Sequence, residues 1–461
     1  MRIRPAVRLR GRIRVPGDKS VSHRAAILAS LASGSTRIEN FASSADCAST
    51  LEALRGLGVR VERDADVVRV EGVGTDEGPP RFRPPARPLD CGNSGTTMRL
   101  LAGVLAAQPF VSMLTGDESL SRRPMRRIIE PLGLMGARVS SEDGHAPLRI
   151  EGRRPLAGLR YEMPVASAQV KSCVLLAGLG AEGRTQIIEP RAQTRDHTER
   201  MLRCFGVNVE TREVRHDGKS EIINDMQHDV EHEGERRVVV TLNPSARLRA
   251  RDLKVPGDIS SAAFPLAAAA LLNGSELELL GVGLNPTRTA ILDALRSLGV
   301  VLRIEGVREQ SNEPVGDIHV RGANGLAPIN GGSNVIRGEL IAQLIDELPV
   351  LAVVGTRVEG GLEIRDAREL RVKESDRISA TVSNLRAMGA EVEEFDDGLR
   401  VAGPVRLRGA RLQSFGDHRI AMAFAVAALA AEGETEIEGA EECVQISFPE
   451  FFPLLESVTE R

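Results

Sequence analysis

The sequence predicts an α/β protein of two similar domains, each made of three βαβαββ-type units. Three observations carry the prediction. A polar-headed, Ala/Leu/Val-rich helix followed by a short strand recurs six times along the 461 residues. Five of the six copies continue into a second, amphipathic helix closed by an apolar-Gly-apolar stop. The tetrapeptide Val-Pro-Gly-Asp occurs twice, at Val15 and at Val255.

The six helix openings read Asp18-Lys19-Ser20-Val21-Ser22-His23-Arg24, Asn93-Ser94-Gly95-Thr96-Thr97-Met98-Arg99, Ser167-Ala168-Gln169-Val170-Lys171, Asp258-Ile259-Ser260-Ser261, Asp346-Glu347-Leu348-Pro349 and Asp417-His418-Arg419. They lie about 70 to 90 residues apart, the period of a supersecondary unit and not of a whole domain. The second helices are expected over 50–59, 125–139, 197–207, 289–300 and 378–392, where leucines or their equivalents fall at helical spacing. The glycine near each end suits a C-cap, where an unhindered residue turns easily. The sixth copy is short and lacks its closing strands. Its completion is expected from the N-terminal segment, where Val7, Leu9, Ile13 and Val15 alternate with arginines as in a half-buried strand.

The repeated tetrapeptide opens each half with an extended, proline-gated lead-in to a buried helix. The first domain is therefore expected over 19–246, and the second over 1–18 plus 247–461, with chain crossings near 16–19 and 244–257. The two copies differ after the shared aspartate: Lys19 becomes Ile259 and Arg24 becomes Phe264. An architectural requirement would preserve both copies, so the cationic pair of the first reads as functional.

Composition bounds the function classes. Apolar residues make up 42%, enough for large cores, and the longest apolar run, Ala262 to Leu272, stops at Asn273-Gly274, short of the ~18 residues of a membrane span. The arginine-rich start has no apolar signal core behind it, so a cytoplasmic location is expected. Cys47, Cys91, Cys173, Cys204 and Cys443 are scattered and read as reduced, mostly packed thiols without metal-ligand spacing. A net charge of −4, no Trp and one Tyr argue against nucleic-acid binding. No heptad pattern or apolar stripe marks a partner surface, and a monomer is expected. Residues 213–237, rich in charge and containing His216, His228 and His232, read as an inserted solvated loop or hairpin extension within the third unit, since the histidine spacing is irregular for a metal.

Helix N-termini carry free N–H groups and partial positive charge, so converging openings make a polyanion site. Lys19, Arg24, Arg99, Arg122 or Arg123, Lys171, Arg195, Lys373, Arg377 and Arg419 are expected to surround it. The acids Asp346, Glu347, Glu374 and Asp417 lie beside the cations of the second half, a pattern that fits proton transfer on an anionic substrate better than metal holding. No cofactor or metal is expected.

Pro16 to Arg24, Gly92 to Arg99, Arg371-Val372-Lys373-Glu374-Ser375-Asp376-Arg377 and Asp417-His418-Arg419-Ile420-Ala421-Met422 closely resemble the 3-phosphoshikimate 1-carboxyvinyltransferase family, also called 5-enolpyruvylshikimate-3-phosphate synthases. The resemblance spans essentially the whole chain. It implies buried parallel helices with outer sheets, an inside-out α/β barrel in each domain, and a substrate cleft between domains that close on substrate. It implies transfer of the enolpyruvyl group of phosphoenolpyruvate to the 5-hydroxyl of shikimate 3-phosphate, on the route to chorismate. By resemblance, Lys19, Asp346, Lys373 and Glu374 are catalytic. Lys19, Ser20, Arg24, Ser167, Ala168, Gln169, Thr194, Asp346, Glu369 and Lys373 bind shikimate 3-phosphate. Lys19, Asn93, Gly95, Arg123, Gln169, Arg377 and Arg419 bind phosphoenolpyruvate, with Thr96, Arg99, Asp417 and His418 in support.

Four positions depart from the commonest family pattern: Ala168 for a second phosphate-binding serine, His197 for tyrosine, Glu369 for asparagine, and Ile446 near a lysine that contacts phosphoenolpyruvate. Gly95 matches a position where substitution affects glyphosate, and Leu100 stands where many sensitive members have proline. The sister family, UDP-N-acetylglucosamine enolpyruvyl transferase, normally has a reactive cysteine shortly before an Arg-Pro pair. The stretch Asp117 to Pro124 has none, although an acid can fill that position; more tellingly, Ser20 follows Lys19 where the sister family usually has asparagine. A non-catalytic, anion-binding relative would lose acids and bases first, yet Lys19, Asp346, Lys373 and Glu374 are all present.

Overall fold

A computed structural model describes residues 1–75, 80–190, 193–216, 221–223, 235–243, 247–329 and 334–461. The chain divides into two compact units. The first comprises Lys19–Phe41 and Asp46–Val255, and the second Met1–Asp18, Ala42–Ala45 and Pro256–Arg461.

The core of the first unit is three helices, Lys19–Leu31, Gly95–Ala106 and Ala168–Gly178. They are apolar or small on nearly every face, the composition of a helix that water does not reach. Small residues set their spacing. A Cβ on Gly103 would lie 2.1 Å from the Cys173 carbonyl oxygen of the neighbouring helix.

Three mixed sheets belong to this unit, and each starts from one parallel pair. Leu253–Lys254 runs parallel to Ser35–Glu39, which continues antiparallel to Val67–Glu71 and Arg60–Asp64. Leu89–Asp90 runs parallel to Val111–Thr115, followed by His145–Glu151 and Arg138–Glu142. Arg160–Glu162 runs parallel to Thr185–Pro190, followed by Glu235–Leu242 and Val209–His216. In the charged stretch near 213–237, Glu221–Ile223 adds a short antiparallel strand to Val209–His216; His228 and His232 lie outside the described residues.

The second unit repeats the plan around Ile259–Leu271, Leu348–Gly355 and His418–Leu429, in which every residue is buried. Its parallel pairs are Arg8–Ile13 with Glu276–Gly283, Val335–Ile336 with Leu362–Ile364, and Arg411–Gln413 with Thr435–Glu438. The expected completion of the sixth copy needs correction. The strand containing Leu9 and Ile13 joins the sheet of the fourth copy, and Arg2–Ile3 completes the sixth by pairing antiparallel with Thr435–Glu438. Val7 is exposed because it precedes that strand, whereas Leu9, Ile13 and Val15 are buried.

The amphipathic helices are Ala45–Gly56, Arg126–Leu134, His197–Cys204, Ala290–Ser297 and Arg377–Ala387. Each ends two residues before a glycine with positive φ: Gly58 at 84°, Gly136 at 102°, Gly206 at 86°, Gly299 at 91° and Gly389 at 87°. A side chain at any of these would be strained in the left-handed turn that leads into the next strand. All five cysteines are free, and all but half-buried Cys204 are buried. Among the described residues no helix is long and apolar enough to cross a membrane.

Candidate active site

In the first unit the polar side chains gather at the N-terminal ends of the buried helices. Lys19 opens its helix, and its Nζ lies 2.9 Å from Asp46 Oδ2. One turn on, Arg24 is only 4% exposed and donates from Nη1 to the Ser20 carbonyl at 2.8 Å, from Nε to Thr198 Oγ1 at 2.7 Å and from Nη2 to Ser172 Oγ at 2.8 Å. Its guanidinium is held on three sides, as a fixed anion receptor requires.

The second helix opening is built around Gly95, behind the Ser94 N-cap. A Cβ on Gly95 would sit 2.6 Å from Arg99 Nη1 and 3.4 Å from Arg123 Nη1, so glycine here admits two guanidinium groups. Arg99 donates to Gln169 Oε1 at 2.7 Å, and Gln169 Nε2 donates to Thr96 Oγ1 at 3.0 Å. Arg123 donates to Asn93 Oδ1 at 2.7 Å and Ser119 Oγ at 3.3 Å, and Asn93 donates to Asp117 Oδ2 at 2.8 Å. Of the two adjacent arginines it is Arg123 that joins the cluster; Arg122 is exposed and pairs with Glu118.

The third opening is capped by Ser167, which accepts from Val170 N at 3.4 Å, beside Ala168 and Gln169. Lys171 departs from expectation. It is fully buried between Glu189 at 2.6 Å and Glu199 at 2.7 Å, so it cannot face a ligand. Burial works against its charge, and the carboxylates of Glu199 and Glu189 outweigh that and raise its pKa. Lys171 also donates to the Thr194 carbonyl at 3.3 Å, while Glu189 Oε2 accepts from Thr194 N at 2.8 Å. The buried ions thus hold the backbone of Thr194, whose hydroxyl oxygen has no partner among the described residues.

The second unit places an arginine among acids. Arg377, 2% exposed, donates to Glu374 Oε2 at 2.7 Å, to Asp417 Oδ2 at 2.8 Å and Oδ1 at 3.3 Å, and to Asp346 Oδ1 at 3.4 Å. Burial opposes its charge, but Asp417, Glu374 and Asp346 overcome this and raise its pKa. Asp417 is itself the N-cap of the His418–Leu429 helix and accepts from Arg419 N at 2.8 Å. Arg419 donates to the Asp346 carbonyl at 3.3 Å and lies 3.6 Å from Glu347 Oε1. Lys373 sits 3.6 Å from Glu369, and His418 is buried beside Asp417 at the helix start.

Lys19, Ser20, Arg24, Asn93, Gly95, Thr96, Arg99, Arg123, Ser167, Ala168, Gln169 and Thr194 thus belong to the first unit, and Asp346, Glu369, Lys373, Glu374, Arg377, Asp417, His418 and Arg419 to the second. Sequence reasoning missed Asp46, Ser172 and Thr198, the partners that fix Lys19 and Arg24. Ser172 follows Lys171 on a helix already identified, but nothing in a single sequence pairs it with an arginine 148 residues away.

A family model described as EPSP synthase (3-phosphoshikimate 1-carboxyvinyltransferase) matches residues 3–221 and 212–455. A 3-phosphoshikimate 1-carboxyvinyltransferase of Koribacter versatilis is 52% identical over 462 residues, covering 100% of this chain and 99% of that protein. The same-named protein of Salinibacter ruber is 50% identical over 458 residues, 98% of each. A solved structure of EPSP synthase from Acinetobacter baumannii superimposes with a TM-score of 0.83 at 40% identity, over 99% of this chain and 98% of that one. The enolpyruvyl transferase NikO from Streptomyces tendae shares the fold, with a TM-score of 0.73 at 19% identity over 99% and 96% of the two chains.

Proposed function

The chain belongs to the EPSP synthase family, and from that premise we infer how its residues divide the work. It is a 3-phosphoshikimate 1-carboxyvinyltransferase: it transfers the enolpyruvyl group of phosphoenolpyruvate to the 5-hydroxyl of shikimate 3-phosphate and releases inorganic phosphate, a step of the shikimate pathway.

Phosphoenolpyruvate brings a carboxylate and a phosphate, which planar guanidinium forks bind well. In our reading Arg123, Arg377 and Arg419 hold it, with Asn93, Gly95 and Gln169 beside them. Arg24 and Ser20 take the carboxylate side of shikimate 3-phosphate, Ser167 and Thr194 its phosphate, and Ala168 and Glu369 line the same ligand. Glu374 serves as acid and base, Lys373 pairs with the reacting groups, Asp346 receives the proton of the 5-hydroxyl, and Lys19 spans both substrates.

Chemistry then runs by addition and elimination. A proton goes to the methylene carbon of phosphoenolpyruvate, C2 becomes electrophilic, and the 5-hydroxyl oxygen bonds to it while losing its own proton. The tetrahedral adduct expels phosphate and gives up one methyl proton, restoring the double bond. The single observation that carries the acid and base roles is the set of three carboxylates around buried Arg377, because the cation keeps Asp346 and Glu374 within reach of one another's chemistry. We also propose that the enzyme works as a monomer in the cytoplasm.

Phosphate release by the purified protein tests the assignment. Release is expected with phosphoenolpyruvate plus shikimate 3-phosphate and not with UDP-N-acetylglucosamine. Glu374→Ala should cost about 10²–10⁴-fold in kcat, the usual worth of a general acid or base, and Lys19→Met should also lower activity sharply. Full activity in either variant removes that residue from the mechanism.

A further inference from the structure

The two Val-Pro-Gly-Asp segments share one feature that the reaction leaves unexplained. Their aspartates, Asp18 and Asp258, are both buried in the second unit and face one cation. Arg288 Nη1 lies 3.6 Å from Asp18 Oδ2, and Nη2 lies 3.7 Å from Asp258 Oδ1. Arg288 itself is 4% exposed and precedes the Ala290–Ser297 helix. The source of the cation differs between the copies of the repeat. In the first unit the buried helix supplies it, as Lys19, and the second helix supplies the carboxylate, Asp46. In the second unit position 259 is isoleucine, and the cation comes from the loop before the second helix.

From Arg288 a buried polar chain runs to a residue assigned to phosphoenolpyruvate. Arg288 Nη2 donates to Ser260 Oγ at 2.6 Å. The serine hydroxyl has one proton, and it goes to Glu347 Oε1. That same Glu347 oxygen faces Arg419 Nη1 at 3.6 Å. Ser260 and Glu347 are 1% and 3% exposed, so bulk water does not compete for either partner. The Phe264 ring, 5.9 Å beneath the Arg419 guanidinium carbon, closes the other face.

We propose that Arg288 and Ser260 are positioning residues for phosphoenolpyruvate: together they fix Glu347, and through it the guanidinium of Arg419. The proposal rests on the reading of Arg419 given above. It assigns neither residue any contact with substrate. Their loss acts on the binding of one substrate and leaves the other untouched, which a general loss of packing does not do.

Steady-state phosphate release, with each substrate varied in turn, tests this in Ser260→Ala, Arg288→Lys, Arg288→Met and Arg419→Lys. Ser260→Ala should raise KM for phosphoenolpyruvate about tenfold, less than the about 10²-fold that a 1 Å misplacement can cost, with KM for shikimate 3-phosphate changed less than about twofold. Arg288→Met should show the same split, and Arg288→Lys, which keeps the charge but not the fork, should recover part of it. A thermal melt accompanies each variant. If Arg288→Met does not fold, Ser260→Ala decides, because it leaves both aspartate pairs of Arg288 in place. A folded Ser260→Ala with no selective rise in KM for phosphoenolpyruvate overturns the proposal. If Arg419→Lys also leaves that KM unchanged, the reading of Arg419 falls with it; if Arg419→Lys raises it, only the positioning chain is wrong.

Discussion

Asp258 holds its proton at a pH where a surface aspartate has lost it. Burial pushes its pKa up to about 6, the nearby Asp18 adds to the rise, and Arg288 and Arg419 oppose it. The direction fixes a stability window. A carboxyl with a raised pKa in the folded state keeps a proton that the unfolded chain gives up, so folding loses stability as pH climbs from the ordinary value of 3.8 to about 6 and is flat above. Asp258→Asn has no such proton to lose. Its stability relative to the natural protein should therefore rise between pH 4.5 and 6.5, read by urea unfolding at several pH values; a constant difference across that range removes Asp258 as the titrating group. Arginines and acids of this kind were visible in the sequence as charges at helix openings, but their environments were not. Lys171 reads like any other cation of a helix start. Only the fold brings Glu189 and Glu199, from a strand and a second helix, onto it and closes it from ligand.

At the scale of elements, the helices and their stops were the most legible part of the chain. Apolar spacing and a glycine two residues past the helix are local features, and local features are written in adjacent residues. Strand pairing is not local. The alternation of Leu9 and Ile13 correctly marks a strand, yet its parallel partner lies at Glu276–Leu279, and periodicity carries no register between segments so far apart. Helix packing depends on equally distant matches. Gly103 is a glycine because the Cys173 carbonyl of the adjacent helix occupies the place of its side chain. The blocking atom is backbone, so relief requires the Gly95–Ala106 and Ala168–Gly178 helices to separate. Gly103→Ala should cost about 1–3 kcal/mol of stability, despite alanine's better helix propensity. A melting temperature equal to or above that of the natural protein would show the two helices to be more loosely joined than this.

The whole chain threads its two units discontinuously, and this makes the N-terminal segment part of the second unit. Arg8–Ile13 lies inside a sheet, between Glu276–Gly283 on one side and Thr459–Glu460 on the other. Arg2–Ile3 closes another sheet against Thr435–Glu438. Ile3, Leu9, Ile13 and Val15 are all buried there. At about 1.5–3 kcal/mol for each such side chain, their burial contributes on the order of 6–12 kcal/mol, which is as large as the whole net stability of an ordinary domain. An extended reference chain makes that an upper figure, yet even half of it decides the outcome. A fragment of residues 256–461 should therefore lack a cooperative thermal transition and gain one when a peptide of residues 1–18 is added. The first unit makes the opposite case. Its sheets draw their described strands from within 19–255, including Leu253–Lys254 returning to Ser35–Glu39, so the fragment 19–255 should melt cooperatively without help. Calorimetry on the two fragments separates the cases: a 256–461 fragment that melts at the same temperature with and without the peptide would mean that its sheets do not need the strand they enclose.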